Sequence, residues 1–75
     1  MAIASVIVAT EAGAVEAVAA ELARLPNTTV YGSKDNEIVT VIEAVSAADL
    51  TAGLQRLAAV ERVVGVYPVY AGVHE

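Results

Sequence analysis

One strand serine, one histidine, three tyrosines and nine carboxylates are the residues of this chain that could do chemistry. His74 is the only histidine and stands next to last. Acid–base catalysis needs a proton-transfer group held in fixed geometry, and a chain end provides little of that, so His74 reads as a tail residue rather than a catalyst or ligand. The carboxylates fall at no spacing that pairs two of them, and they read as a solvated surface. Ser5 interrupts the apolar run Ile3-Ala4-Ser5-Val6-Ile7-Val8-Ala9-Thr10 with no visible His or Asp to activate it. It reads as a polar contact on a binding face or as an ordinary strand serine. There is no cysteine, hence no disulfide, thiolate nucleophile or cysteine metal site. Gly13 and Gly32 are isolated and form no phosphate loop. The residue types therefore predict no catalysis, no metal and no cofactor. Tyr31, Tyr67 and Tyr70 are the only aromatics, and two of them fall in the last apolar stretch, where such rings commonly serve interfaces. Tyr70 is open between partner contact and edge packing.

The formal net charge is −5. The four cations, Arg24, Lys34, Arg56 and Arg62, do not cluster, so nucleic acid is a poor partner. A basic peptide is a better one, because an acidic protein attracts it at long range. The N-terminus lacks the basic region of a signal peptide, its first cation being Arg24. No uncharged apolar run reaches the roughly 18–20 residues that span a bilayer. These features predict a soluble cytoplasmic protein with no stable membrane insertion.

Seventy-five residues make a single domain, 1–75. The hydrophobic fraction of 57% is dominated by Ala and Val, which predicts a core of small, tightly packed side chains. The β-branched run at 3–10 is a buried central strand. A first helix is expected over 11–25, with Thr10 as its cap and Val15, Val18, Leu22 and Leu25 as its apolar stripe, beside Ala14 and Ala19. Glu21 and Arg24 can pair weakly at i,i+3. Pro26 ends that helix, and Asn27 suits a left-handed turn. Strand two is expected at 28–32 and strand three at 37–43, joined by the polar turn 33–36 as a hairpin. Ser46-x-x-Asp49 has the form of a capping box. It opens a second helix with the stripe Ala47, Leu50, Leu54, Leu57 and Ala58, ending near 59–61. Gly53 weakens this helix by about 1 kcal/mol relative to Ala, and a close helix–sheet contact would account for it. Strand four spans 63–70, and 71–75 reads as a frayed tail.

The order is βαββαβ, the split βαβ or ferredoxin-like arrangement of an α+β fold. Right-handed crossovers give a four-stranded antiparallel sheet of order 4-1-3-2 with two helices on one face. Pro68 belongs on an edge strand. The other face of the sheet is left open as a binding surface. Taking the polar residue of each central strand as the marker of the open face puts Ile3, Ser5 and Ile7 there, with Ile38, Thr40 and Ile42, and turns Val39 and Val41 toward the helices. Strand four is open between Val64/Val66/Pro68/Tyr70 and Val63/Gly65/Tyr67/Val69, and Gly65 could mark a bulge that switches them. An open face rich in Ile points to a partner or a weak homodimer.

Several segments together resemble the NapD family. They are Ala-Ser-Val-Ile-Val at 4–8, Leu22-x-x-Leu25-Pro26 followed by Val30, and Val39-Thr40-Val41-Ile42-Glu43-Ala44. Leu54-x-x-Leu57 and the ending Val63-x-x-Val66-x-x-Val69-Tyr70 complete the match, which runs in order along nearly the whole chain. The resemblance implies a cytoplasmic chaperone that binds the twin-arginine signal peptide of the periplasmic nitrate reductase catalytic subunit. It implies that export is held back until the molybdenum cofactor is inserted. It also implies that the open sheet face holds the peptide as a helix, through Ser5, Ile7, Ile38, Thr40, Ile42 and Tyr70. The chain departs from the family where members often have Gly, here Asn27 and Arg62. It also carries Ala71 where a His often follows the final Val-Tyr.

A reading from another class is a small-molecule-sensing or dimerisation module of the same fold, of the ACT or RAM type, whose open face or edge strand forms a dimer. Such a module is usually attached to a DNA-binding or catalytic domain. A small isomerase or monooxygenase of the dimeric barrel type would need buried catalytic polar residues, which the sequence does not offer.

Overall fold

The β-branched run at the start of the chain becomes β1, Ala2–Thr10, whose side chains alternate strictly between buried and half-buried. The structure is a computed structural model describing residues 1–73, with the backbone alone at 71 and 73. After β1 come α1 (Val15–Arg24), β2 (Thr28–Lys34), β3 (Glu37–Ala44), α2 (Ala47–Ala58) and β4 (Val63–Val73). All strand pairs are antiparallel, and the sheet order is β2-β3-β1-β4. This is the expected ferredoxin-like order, with Pro68 on an edge strand.

One face of the sheet carries the core. Ala2, Ala4, Val6 and Val8 of β1 join Ile38 and Ile42 of β3, Val18 and Leu22 of α1, and Leu50 and Leu57 of α2 in a single buried cluster. Both helices therefore lie on the same side. The alanines under them leave room for close approach, and the leucines fill the space between the layers. Gly53 has the role its position suggests. A Cβ there would lie 3.3 Å from Ile42 Cδ1, so its absence lets α2 sit close to β3. The stripe of α2 is narrower than the pattern implies, since Ala47 and Ala58 are exposed.

Local signals fix most boundaries. Ser46 caps α2 by accepting a hydrogen bond from the Asp49 amide at 3.2 Å. The exposed Arg24–Glu21 pair forms at 3.6 Å, a contact worth little in water. The start of α1 differs from expectation. Thr10 is a buried end of β1, and its hydroxyl donates to the carbonyls of Glu11 at 3.1 Å and Asn36 at 3.5 Å rather than capping a helix. Gly13 takes φ +81°, a left-handed turn that helical geometry cannot pass through, so α1 begins only at Val15. β2 runs on to Lys34, which leaves Asp35-Asn36 as the hairpin turn. The expected frayed tail is also corrected: β4 continues to Val73, because Ile3 and Ala2 of β1 pair with Gly72 and Val73.

Three residues other than glycine have positive φ: Asn27 at 56°, Asp35 at 57° and Arg62 at 74°. Asn and Asp adopt this region readily, whereas other side chains incur about 1–2 kcal/mol. Two of the three, Asn27 and Arg62, are the positions where the resemblance leads one to expect Gly. Each is held by a backbone bond, Glu43 N–H to the Asn27 carbonyl and Glu11 N–H to the Arg62 carbonyl, both at 3.0 Å.

Candidate functional site

The side of the sheet without helices is assembled by register. Partners across an antiparallel ladder project to the same face. β1 pairs Ile3 with Glu43, Ser5 with Val41, and Ile7 with Val39. On its other side β1 pairs Ile3 with Gly72, Ser5 with Tyr70, Ile7 with Tyr67, and Ala9 with Gly65. The open face thus has Ser5 and Ile7 at its centre, Val39 and Val41 on one side, and Tyr67 and Tyr70 on the other.

Strand three corrects the sequence reading. Ile38, Thr40 and Ile42 point into the core, with relative exposures of 0%, 0% and 3%. Their β1 partners are Val8, Val6 and Ala4, all buried. Val39 is 40% exposed and, with the half-buried Val41, takes the open-face place expected for the isoleucines. The physical reason is that Thr40 is an unreliable polar marker. Its methyl and small volume suit a β-branched core position, whereas the charges of Glu37 and Glu43 at the ends of the alternate row cannot be buried unpaired. Thr40 Oγ1 is buried and accepts or donates no hydrogen bond. Ser5, Ile7 and Tyr70 lie on the open face as expected.

Both edge strands are bulged, and the bulges decide where the tyrosines go. In β4 the register slips between Ser5/Val6 and between Ala9/Thr10, leaving Val69 and Val64 as extra residues. Tyr67 and Tyr70 are three residues apart and would face opposite ways in a regular strand. The slip at Val69 brings both to the open face, 57% and 56% exposed. Gly65 does mark a bulge: the second slip, at Val64, adjoins it and puts Val63 and Gly65 on opposite faces. In β2 the slip lies between Val30 and Gly32. The extra residue, Tyr31, borders a shallow depression of about 510 Å³ with Ile7, Gly32, Lys34, Glu37 and Val39. All three aromatics of the chain thus border one surface. Tyr31 and Tyr67 were not among the expected site residues. Their signal was only that aromatics were scarce and none was needed by the core.

This surface is chemically simple. It is apolar around Ser5, with Glu43 at one end of β3 and Glu37 beside Lys34 at the other. Among the described residues, no group of three or more His, Cys, Asp or Glu could hold a metal ion, and no helix is long and apolar enough to cross a membrane. His74 lies outside the described residues. A more enclosed hollow, about 160 Å³, sits where the end of α1 meets α2 and includes Leu25, Ile42, Gly53, Asp49 and Arg56. It brings no nucleophile and base together.

Comparison with known proteins matches the chain to the family model described as NapD protein, over residues 1–75. A solved structure similar to it is the solution structure of the E. coli Tat proofreading chaperone protein NapD. That likeness has a TM-score of 0.86 at 23% identity and covers 97% of this chain and 79% of the other. Another is the crystal structure of a hypothetical protein from Pyrococcus horikoshii, at TM-score 0.82 and 19% identity, covering 100% and 93%. No curated protein matches the chain.

Proposed function

The chain belongs to the NapD family along residues 1–75, and from that premise we propose that it is a cytoplasmic chaperone for a twin-arginine signal peptide. Its client is the precursor of a nitrate reductase-like molybdoenzyme. Holding the signal peptide restrains export until the molybdenum cofactor is in place. The protein acts by binding and performs no reaction of its own.

The observation that carries this reading is the helix-free face, with Ser5, Ile7, Val39, Val41, Tyr67 and Tyr70 on one surface. A signal peptide has a basic head and an apolar body. The apolar body gains by laying a helix on an exposed apolar surface, the mode by which amphipathic helices dock in grooves. The net charge of −5 steers the arginine pair toward the protein and speeds encounter more than it adds affinity. The binding set is Ser5, Ile7 and Tyr70, with Val39, Val41 and Tyr67. Ile38, Thr40 and Ile42 support the sheet from behind.

The test is chemical-shift mapping of amides and methyls with a synthetic twin-arginine signal peptide, against the same peptide with both arginines changed to glutamine. The expected result is shifts at the methyls of Ile7, Val39 and Val41 and at Tyr67 and Tyr70, weaker with the glutamine peptide. The methyls of Ile38 and Ile42 should move little. Absence of any shift at millimolar peptide, in a protein that runs as a stable dimer, would overturn the reading in favour of an oligomerising module.

A further inference from the structure

Gly65 and Gly72 are occupied spaces rather than empty ones. A Cβ built on Gly65 would lie 2.5 Å from Tyr67 Oη, 2.7 Å from its Cζ and 2.8 Å from its Cε2. One built on Gly72 would lie 2.7 Å from Tyr70 Oη, 3.2 Å from its Cζ and 3.4 Å from its Cε2. Each tyrosine ring therefore reclines along β4 over a glycine two residues away, and no other residue type leaves it that room. The rings recline in opposite directions. Tyr67 leans toward Gly65 and Ala9, Tyr70 toward Gly72 and Ile3. The bases of the two rings stand opposite Ile7 and Ser5, which are half-buried. Gly32 of β2, by contrast, has nothing near its Cβ position, so the arrangement belongs to β4.

We propose that Gly65 and Gly72 are positioning residues: by letting Tyr67 and Tyr70 recline, they open an apolar slot centred on Ser5 and Ile7, with a tyrosine hydroxyl at each end, sized for the apolar core of a signal peptide. This rests on the peptide-binding reading above and adds to it the length and polarity of the ligand. The two glycines pair with Ile3 and Ala9 of β1, which at about 3.3 Å per residue places the ends of the slot about 20 Å apart. A helix rising 1.5 Å per residue covers that distance in about 13 residues, within the range of about 7–15 residues of a signal peptide's apolar region. The hydroxyls then meet the polar flanks of the peptide, and the ring faces cover its apolar sides. Were the rings to stand upright, they would fill the space the helix needs.

The experiment combines ring position in the free chain with peptide affinity. In the full-length protein, the Hα resonances of Gly65 and Gly72 should be shifted by the ring currents of Tyr67 and Tyr70. Gly65→Ala should displace the ring and weaken binding of a synthetic twin-arginine signal peptide about tenfold by calorimetry, the size of loss expected when an aromatic anchor is misplaced. Gly72→Ala should act likewise through Tyr70. In a Tyr67→Ala background, Gly65→Ala should change affinity less than about twofold, because the glycine acts only through the ring. Equal losses in both backgrounds, or an undiminished affinity once the ring has moved, would overturn the proposal. Unshifted glycine resonances in the parent overturn it without reference to any peptide. A parent with shifted glycines that binds no peptide overturns both readings, and places the failure in the ligand rather than in the rings. Circular dichroism of each variant guards against simple unfolding, and Tyr67→Leu retains an apolar anchor that any alanine at position 65 can accommodate.

Discussion

The two faces of β3 are built from nearly the same residues and do different work. The face under the helices holds Ile38, Thr40 and Ile42. The opposite face holds Glu37, Val39, Val41 and Glu43. Hydrophobicity at the centre of the rows barely separates them, since both are β-branched. What separates them is where charge stands and how much volume the helices demand. The covered face takes the longer isoleucines, the tip of Ile42 reaching α2 at Gly53, and tolerates a threonine for its shape. The open face takes shorter valines and ends in carboxylates. A buried face is selected by volume, and an open face by what can be left in water.

The largest expected effect sets one face against the other. Ile38→Ala should destabilise the protein by about 2–5 kcal/mol, the cost of lost burial plus a cavity, a large part of the stability of a small domain. Val39→Ala, one residue along, should cost less than about 1 kcal/mol while weakening peptide binding. Urea unfolding of the pair decides the matter. Similar losses at the two sites would mean that the faces are not distinct. The next effect sharpens the role of threonine on the covered face. Thr40 Oγ1 is buried with no partner, so it contributes desolvation cost without a hydrogen bond. Thr40→Val keeps the shape and should stabilise by about 1 kcal/mol, raising the melting temperature by about 4–8 °C in a domain of this size. A fall in stability would reveal a bond made by that hydroxyl.

Most of the fold was legible because its signals are local. The strand of 3–10, the Pro26 stop, the left-handed Asn27, the Ser46 cap and the edge-strand Pro68 are each decided by a few neighbouring residues. The site was less legible because it depends on register. In strand three, Thr40 is the polar residue of its row, but the two glutamates of the alternate row decide, because a charge is far costlier to bury than a hydroxyl with a methyl. In strand four, period-two reasoning puts Tyr67 and Tyr70 on opposite faces. Only the slip at Val69, a property of the β1 pairing, brings them together. The start of α1 failed for a different reason. Glu11 and Ala12 suit a helix, but Gly13 takes φ +81° and the helix begins only after it, at Val15.

The smallest expected effect measures how tightly the covered face is packed. Gly53 sits inside α2, where alanine would favour the helix by about 0.8–1.0 kcal/mol. Its Cβ would press on Ile42 Cδ1 at 3.3 Å, closer than carbon atoms prefer at about 3.5–4.0 Å. That methyl is the far end of a flexible side chain and yields by a few tenths of an ångström. Gly53→Ala should therefore stabilise, but by only about half the intrinsic propensity. Ile42→Val removes the methyl in the way, so in that background the same substitution should recover the full gain of about 1 kcal/mol. Thermal unfolding of the four proteins in this cycle yields the coupling directly. A gain identical in both backgrounds would show that α2 does not bear on β3 at this point, and that the covered face has slack where the geometry makes it tight.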